Sequence, residues 1–352
     1  MKTVIIKLGG AAITNKKGSC QLADESILDT LMQQIQQAHE YLSAHGHQLI
    51  LIHGAGSFGH PQARRYNLKE GWIANSGGLS TPPLTSADEE QAVNQAALLD
   101  QKAGFAHTRK CLLELHLALL SRLQQRGLPV LGLSPFDHLE TDGGDKSPNS
   151  CFENLAHRAT QYLKLGFIPL LHGDAVLDRT LGCTILSGDI VMHKLVMLMP
   201  NITRCVFVTD VEGIYNADPK TTKRPKLIKH MPVRPVQEAQ DPSSKNNINN
   251  NNKPLSKRGG ATKTAANRKQ RRLAPVSTSA AVVDVTGGMG GKIKWARQII
   301  LDAASTLKRT DVEIVICKAA SPEATKVMSL EPVLEKGLPV PGQLMTVFTL
   351  AQ

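Results

Sequence analysis

Two short apolar segments each run straight into a glycine-rich turn, and this pattern constrains the chain more than any other. Thr3-Val-Ile-Ile-Lys-Leu8 runs into Gly9-Gly10, and Gln48-Leu-Ile-Leu-Ile-His53 runs into Gly54-Ala-Gly-Ser-Phe-Gly59. Strands that are almost continuously apolar are buried on both faces, which calls for a parallel sheet with helices above and below. The rest of the chain keeps the alternation. Helices are expected over Asp24–Ala44, 86–102, Leu112–Gln125 and Glu153–Leu165, for about ten residues after Gly188-Asp189, and over Ile293–Lys308. Further strands are expected at Leu128–Leu133, Phe167–Leu171, Arg204–Thr209, Val312–Cys317 and Met345–Leu350, with a turn at Gly173-Asp174. The expected class is α/β, a mainly parallel sheet covered on both faces. A chain of 352 residues has room for one large domain of this kind or for two lobes.

The net charge of +11 invites a nucleic-acid reading, but its location argues otherwise. Residues 220–272 carry 15 Lys/Arg against 2 Asp/Glu, a local +13, which leaves the remainder near −2. Within that stretch, 241–272 is rich in Asn, Lys and Arg and nearly devoid of large apolar residues. It cannot offset its ordering entropy by burial and is expected to be a disordered insert, either a plain solvated linker or a polyanion-binding segment. The six cysteines form no C-x-x-C pair and several sit in apolar runs, as expected of reduced thiols in a cytoplasmic protein. Met1 leads directly into a strand and no apolar run reaches 18 residues, so neither a signal peptide nor a membrane span is expected.

Glycines at the start of a helix let main-chain amides approach an anion, and the helix dipole favours it. A third cluster, Gly287-Gly-Met-Gly-Gly-Lys292, has the same character and adds a lysine. None of these loops is a Walker motif or a six-residue dinucleotide fingerprint, and a purely structural turn would explain any one of them. Their flanks are more telling: Lys7, Lys16, His53 and His60 surround the first two loops. Phosphoryl transfer asks for charge placed around moving oxygens more than for a nucleophilic side chain. Lysines supply mobile charge, a histidine can donate to an acceptor phosphate, and Asp189 or Asp210 could orient lysines or help hold Mg²⁺. The chemistry points to a small kinase with an anionic acceptor.

At these residues the sequence resembles the amino acid kinase superfamily, and within it the isopentenyl phosphate kinases. The likeness is carried by Lys7-Leu-Gly-Gly-Ala-Ala-Ile-Thr14 with Lys16, His53-Gly-Ala-Gly-Ser-Phe-Gly-His60 and Leu186-Ser-Gly-Asp189. It continues through Val208-Thr-Asp-Val-Glu-Gly-Ile-Tyr215 with Asp218-Pro-Lys220, and Asp284-Val-Thr-Gly-Gly-Met289 with Lys292. The histidine closing the second block is the specific part, because superfamily members acting on amino acids lack it. The resemblance implies a three-layer αβα sandwich and transfer of the ATP γ-phosphate to isopentenyl phosphate or a related short prenyl phosphate. It also implies a homodimer, with residues 1–185 serving the acceptor and 186–352 the nucleotide.

Carried over residue by residue, it assigns Gly54, Ala55, Gly56, Ser57 and Gly59 to a cradle for the acceptor phosphate, with His60 donating to it and Gly173 at the rim. Lys7 and Lys16 would flank the transferred group, with Asp189 orienting them. Gly9, Gly10, Asp210, Gly213, Tyr215, Lys220, Gly288 and Lys292 would face the nucleotide, whose Mg²⁺ would travel with it; no residue is assigned as a metal ligand. Plainer roles compete at several positions: loop support for His53, helix-start packing for His60, solvation for Lys16, a helix cap for Asp189 and a surface place for Lys220. The prenyl tail needs an apolar slot, for which Val93, Ala96 and Ala97 are candidates unless they are ordinary core. Ala11-Ala12 and Ile190 depart from the family pattern, removing a hydroxyl near the nucleotide and a second aspartate. Two other readings stand: a superfamily kinase for an amino acid, carbamate or nucleoside monophosphate, and a non-enzymatic polyanion binder.

Overall fold

The computed structural model describes residues 1–73, 87–217, 222, 224–235 and 289–351, with only the backbone course given for 87–94. β1 (Thr3–Leu8), α1 (Gly10–Ile13), α2 (Glu25–Ala44) and β2 (Gln48–His53) open the chain. They are followed by α3 (His60–Arg65), α4 (Ala87–Gln125), β3 (Val130–Gly132), α5 (Glu153–Lys164) and β4 (Ile168–His172). A hairpin of β5 (Asp174–Asp178) and β6 (Gly182–Leu186) leads to α6 (Gly188–Leu198), β7 (Ile202–Thr209), β8 (Ile214–Tyr215), β9 (Leu227–Ile228) and β10 (His230–Val233). The last stretch holds α7 (Met289–Leu307), β11 (Glu313–Lys318), α8 (Pro322–Met328), β12 (Leu334–Glu335), β13 (Leu338–Pro339) and β14 (Met345–Leu350).

Eight strands form one sheet in the order β10-β14-β11-β7-β1-β2-β4-β3. Every neighbouring pair is parallel except β11 with β14. β1 is the seam: β2, β4 and β3 lie to one side of it, β7, β11, β14 and β10 to the other. In open parallel sheets such a reversal of strand order leaves a crevice beyond the carboxyl ends of the strands.

Strand pleating sends alternate side chains to opposite faces, and the two cores record it. Val4, Ile6, Leu8, Leu49, Leu51, Ile168 and Leu170 pack with α2, α4 and α8 on one face. Ile5, Ile50, Ile52, Leu171, Cys205 and Phe207 pack with α5, α6 and α7 on the other. This is the αβα sandwich and mainly parallel sheet the sequence predicts. The same alternation fixes where polar residues at strand ends go. Lys7 shares the face of Ile5 and meets α6, whereas His53 and His172 share the face of Leu51 and Leu170 and meet α4.

The two helices expected over 86–102 and 112–125 are one 39-residue helix. No proline interrupts the connecting residues, and Gly104 is accommodated because the Tyr66 ring occupies the space a side chain would take. The turn expected at Gly173-Asp174 turns out to start β5, a strand with no alternating signal. Lys292 lies in the first turn of α7, not in a loop ahead of it. All six cysteines are free thiols, four of them buried. Among the described residues no helix is long and apolar enough to cross a membrane. Ser86 at the start of the expected 86–102 helix, the 241–272 insert, Lys220 and Gly288 lie outside the described residues, as does the side chain of Val93.

Candidate active site

Register brings the carboxyl ends of β1, β2, β4 and β7 to one level. Leu8 pairs with both His53 and Val208, and His53 with His172. The ladder then continues one step past the strands. Gly9 N donates to Val208 O (2.8 Å), Gly54 N to Leu8 O (2.8 Å) and Gly173 N to His53 O (3.0 Å). The Gly9-Gly10 and 54–59 loops therefore leave the sheet side by side. They touch so closely that a Cβ on Gly10 would stand 2.5 Å from the backbone of Gly56, itself at φ +51°. Within the second loop Ser57 N donates to Thr14 Oγ1 and Phe58 N to Ala55 O, which leaves the amides of Ala55 and Gly56 to serve an anion.

Charged groups from distant parts of the chain meet beside these loops. Lys7 Nζ lies 2.7 Å from Asp189 Oδ1, both side chains largely buried. Asp189 is free for this because Ser187 caps α6, its hydroxyl accepting from Asp189 N at 3.1 Å. Lys16 Nζ lies 2.6 Å from Asp210 Oδ2 on the exposed rim. Burial alone would raise the Asp210 pKa, but the Lys16 hydrogen bond and charge, with Asp210's own amide and the Thr209 hydroxyl, outweigh it and hold the carboxyl low. Lys292 projects from the start of α7 among Lys7, Asp189, Asp210 and Lys16, and its pKa is lowered by burial first and by Lys7 next. His60 opens α3. Its ring reaches solvent, yet the crowded walls desolvate it and Lys7, Arg64 and Lys292 add repulsion, so its pKa falls below 6.5 despite Asp189. The result is three lysines and a neutral histidine around the junction of two anion-ready loops, with two carboxylates holding the lysines in place.

Other residues go elsewhere. Ser57, expected to face the phosphate, is buried: its hydroxyl donates to Gln21 O (3.1 Å) and accepts from Gln21 N (3.3 Å), so it braces the loop carrying Lys16. Gly59 lets the turn pack against Ala55 and Leu112. Gly213 is pressed against Thr346 of β14, leaving no space for a Cβ, which explains the glycine without a nucleotide. Tyr215 donates to Glu212 Oε2 at 2.6 Å, and burial with that carboxylate pushes its pKa up to about 12. Gly173 stays level with the cluster, but Asp174 is sealed inside, accepting from Arg109, Ser134 and the Phe136 amide. Of the slot candidates, Ala96 is exposed and Ala97 half-buried, so neither is core. His116, on α4, was not signalled by the sequence; it makes a 3.1 Å hydrogen bond with His53 directly behind the second loop. A histidine in mid-helix among leucines carries no motif, and only the pleat of β2 shows that the two must meet.

A model of the amino acid kinase family matches residues 2–259. The chain belongs to the amino acid kinase family. Among its relatives, an isopentenyl phosphate kinase of Arabidopsis thaliana is 28% identical over 357 residues, covering 92% of this chain and 90% of that protein. An isopentenyl phosphate kinase of Methanothermobacter thermautotrophicus is 29% identical, covering 62% and 70%. In three dimensions an isopentenyl phosphate kinase structure aligns with a TM-score of 0.59 at 22% identity, over 94% of this chain and 97% of that one. The T. acidophilum isopentenyl phosphate kinase product complex aligns at 0.56 and 16% identity, over 98% and 99%. The structural matches speak for the fold. Membership of the amino acid kinase family makes the chain a kinase that draws its phosphoryl group from a nucleotide.

Proposed function

We propose that the chain transfers the γ-phosphate of ATP to isopentenyl phosphate, giving isopentenyl diphosphate and ADP in an alternative branch of the mevalonate route. The observation that supports this most is the placement of His60 and the Ala55 and Gly56 amides next to Lys7, Lys292 and the Gly9-Gly10 turn. A phosphate monoester is already anionic at neutral pH and needs no base. Its oxygen attacks the γ-phosphorus in line, the bond to the β–γ bridging oxygen breaks, and ADP leaves. What the protein must supply is alignment and positive charge. The second loop and His60 hold the acceptor phosphate. Lys7 and Lys16 neutralise the equatorial oxygens of the moving group, and Asp189 aims Lys7. Lys292, with Gly9 and Gly10, serves the β- and γ-phosphates.

Among the described residues no three His, Cys, Asp or Glu side chains gather to hold a metal, and Asp189 and Asp210 are engaged by lysines. Mg²⁺ is read as travelling with the nucleotide's own phosphates, where it would screen their charge. The same reading puts the acceptor in the part of the chain before residue 186, the nucleotide in the part after it, and a homodimer in the cytoplasm. ADP release with Mg·ATP, measured across isopentenyl phosphate, geranyl phosphate, acetylglutamate, carbamate and UMP, tests the proposal. Preferred turnover of a prenyl phosphate supports it. Equal or better turnover of the other acceptors overturns it.

A further inference from the structure

Three histidine rings are packed together behind the acceptor loop. His53 and His172 end β2 and β4 at the same register position and stack at 5.2 Å, 19° from coplanar. His116 of α4 tilts across both, with ring centroids at 5.3 and 4.8 Å. His53 and His172 are wholly inaccessible and His116 is 8% exposed.

Their protons can be assigned from their partners. His53 Nδ1 faces Gly54 O at 3.1 Å, and a carbonyl only accepts, so His53 carries its proton on Nδ1. Its Nε2 is then a bare acceptor, and the group facing it, His116 Nδ1 at 3.1 Å, must be the donor. His172 repeats the first step with Gly173 O at 3.0 Å. Burial lowers the pKa of His53 and His116 far enough to keep both rings neutral, as this pattern requires. Gly54 is the residue from which the loop to Gly59 departs, so the carbonyl that His53 holds fixes the peptide plane leading to the Ala55 amide.

We propose that His116 is a positioning residue for the acceptor. Its Nδ1–H locks His53 in the tautomer that grips the Gly54 carbonyl, and so aims the Ala55 and Gly56 amides at the acceptor phosphate. The proposal rests on reading the 54–59 loop as the acceptor's phosphate site.

The test uses the full chain with Mg·ATP and isopentenyl phosphate, together with ¹⁵N spectra of the histidine rings. In the wild type both His53 and His116 should show the Nδ1–H tautomer. His116→Leu removes the donor and should raise the acceptor KM about tenfold, as loss of one buried hydrogen bond does, while the ATP KM stays within about twofold. Its His53 signal should move toward a mixture of tautomers. His116→Asn keeps an N–H where Nδ1 was and should recover most of the acceptor affinity. An Nε2–H tautomer at His53 in the wild type overturns the proposal, as does equal damage from Leu and Asn or a loss shared equally by ATP. Failure of the wild type to turn over isopentenyl phosphate instead removes the acceptor reading, whatever the tautomer, and the proposed aim falls with it.

Discussion

Lys7 Nζ sits 2.7 Å from Asp189 Oδ1, joining the carboxyl end of β1 to the first turn of α6 across 182 residues of sequence. Both groups are largely buried, so neither is easily left without the other. Asp189→Asn should lower stability by about 3 kcal/mol, the usual cost of stranding one charge of a buried pair. Because the polyphosphate of ATP can replace the lost carboxylate, the nucleotide-induced rise in Tm should be larger in this variant than in the wild type. Thermal unfolding with and without Mg·ATP checks this, and equal shifts would argue that Lys7 does not face the nucleotide. Lys7→Met should reduce kcat at least about 100-fold, as removal of a transition-state charge partner does.

Two glycines near this pair separate packing from chemistry. A Cβ on Gly10 meets the Gly56 backbone at 2.5 Å, and backbone cannot yield without moving a loop. Gly10→Ala should therefore destabilise by about 1–3 kcal/mol and reduce kcat/KM together, as overpacking does. A Cβ on Gly188 meets Lys7 Cε at 3.0 Å and Ile52 Cγ2 at 3.2 Å, side-chain atoms that can give by a few tenths of an ångström where backbone cannot. Gly188→Ala should lower Tm less than Gly10→Ala does while kcat falls about tenfold, because the atoms that must shift are side-chain atoms and include the stem carrying the Lys7 ammonium. Parallel changes in Tm and kcat in both variants would contradict the distinction.

His60 is neutral at pH 7 because burial, then Lys7, Arg64 and Lys292, lower its pKa from 6.5. Its proton should be taken up only below pH 6.5, which puts the acidic limb of kcat/KM for the acceptor there. Arg64 is exposed, and removing it deletes one repulsive charge. Arg64→Gln should thus move the His60 midpoint upward, toward 6.5, in a histidine NMR titration. A downward move, or no midpoint below 6.5 in the wild type, would sink the assignment.

The basic stretch 241–272 offers a test of the polyanion reading. On that reading, deleting it should leave ADP release intact and weaken retention on heparin at moderate salt, because its lysines and arginines are where counterions would be released; unchanged retention would leave it a plain linker. Loss of turnover would instead tie the stretch to catalysis.

The fold was legible because its strands are nearly continuous apolar runs ended by glycine, and both glycine loops sit where β1 and β2 stop. Lys7, Lys16 and His60 stand out in the sequence because they flank those loops, and the structure does gather them beside the loops. What could not be read was which residue meets which. The resemblance has Asp189 orienting both lysines; that Asp189 takes only Lys7 while Lys16 goes to Asp210, and that Ser57 braces Gln21, depends on how the 15–22 loop folds back. Nor does the sequence show that Gly213 is pressed against Thr346 of β14. His116 was invisible because nothing local marks it.

The histidine cluster should also govern how the protein responds to acid. Burial first, then the neighbouring rings, push the His53 pKa well below 6.5, and burial with His172 brings His116 down to about 3. Unfolded histidines titrate near 6.5, so below that pH the unfolded chain binds protons that the native rings refuse. Their contribution is fully present above pH 6.5 and is lost as the pH falls below it, for His116 down to about 3. Each such ring adds a slope approaching about 1.4 kcal/mol per pH unit. Other histidines with lowered pKa values, His193 among them, act in the same direction, so the difference between wild type and His116→Leu isolates one ring. Between pH 6.5 and 5.0, before most carboxylates titrate, the wild type should lose about 1.5 kcal/mol more than the variant. Urea unfolding at the two pH values measures this. An identical loss in both proteins would mean that His116 takes up its proton in the native state as readily as in the unfolded chain.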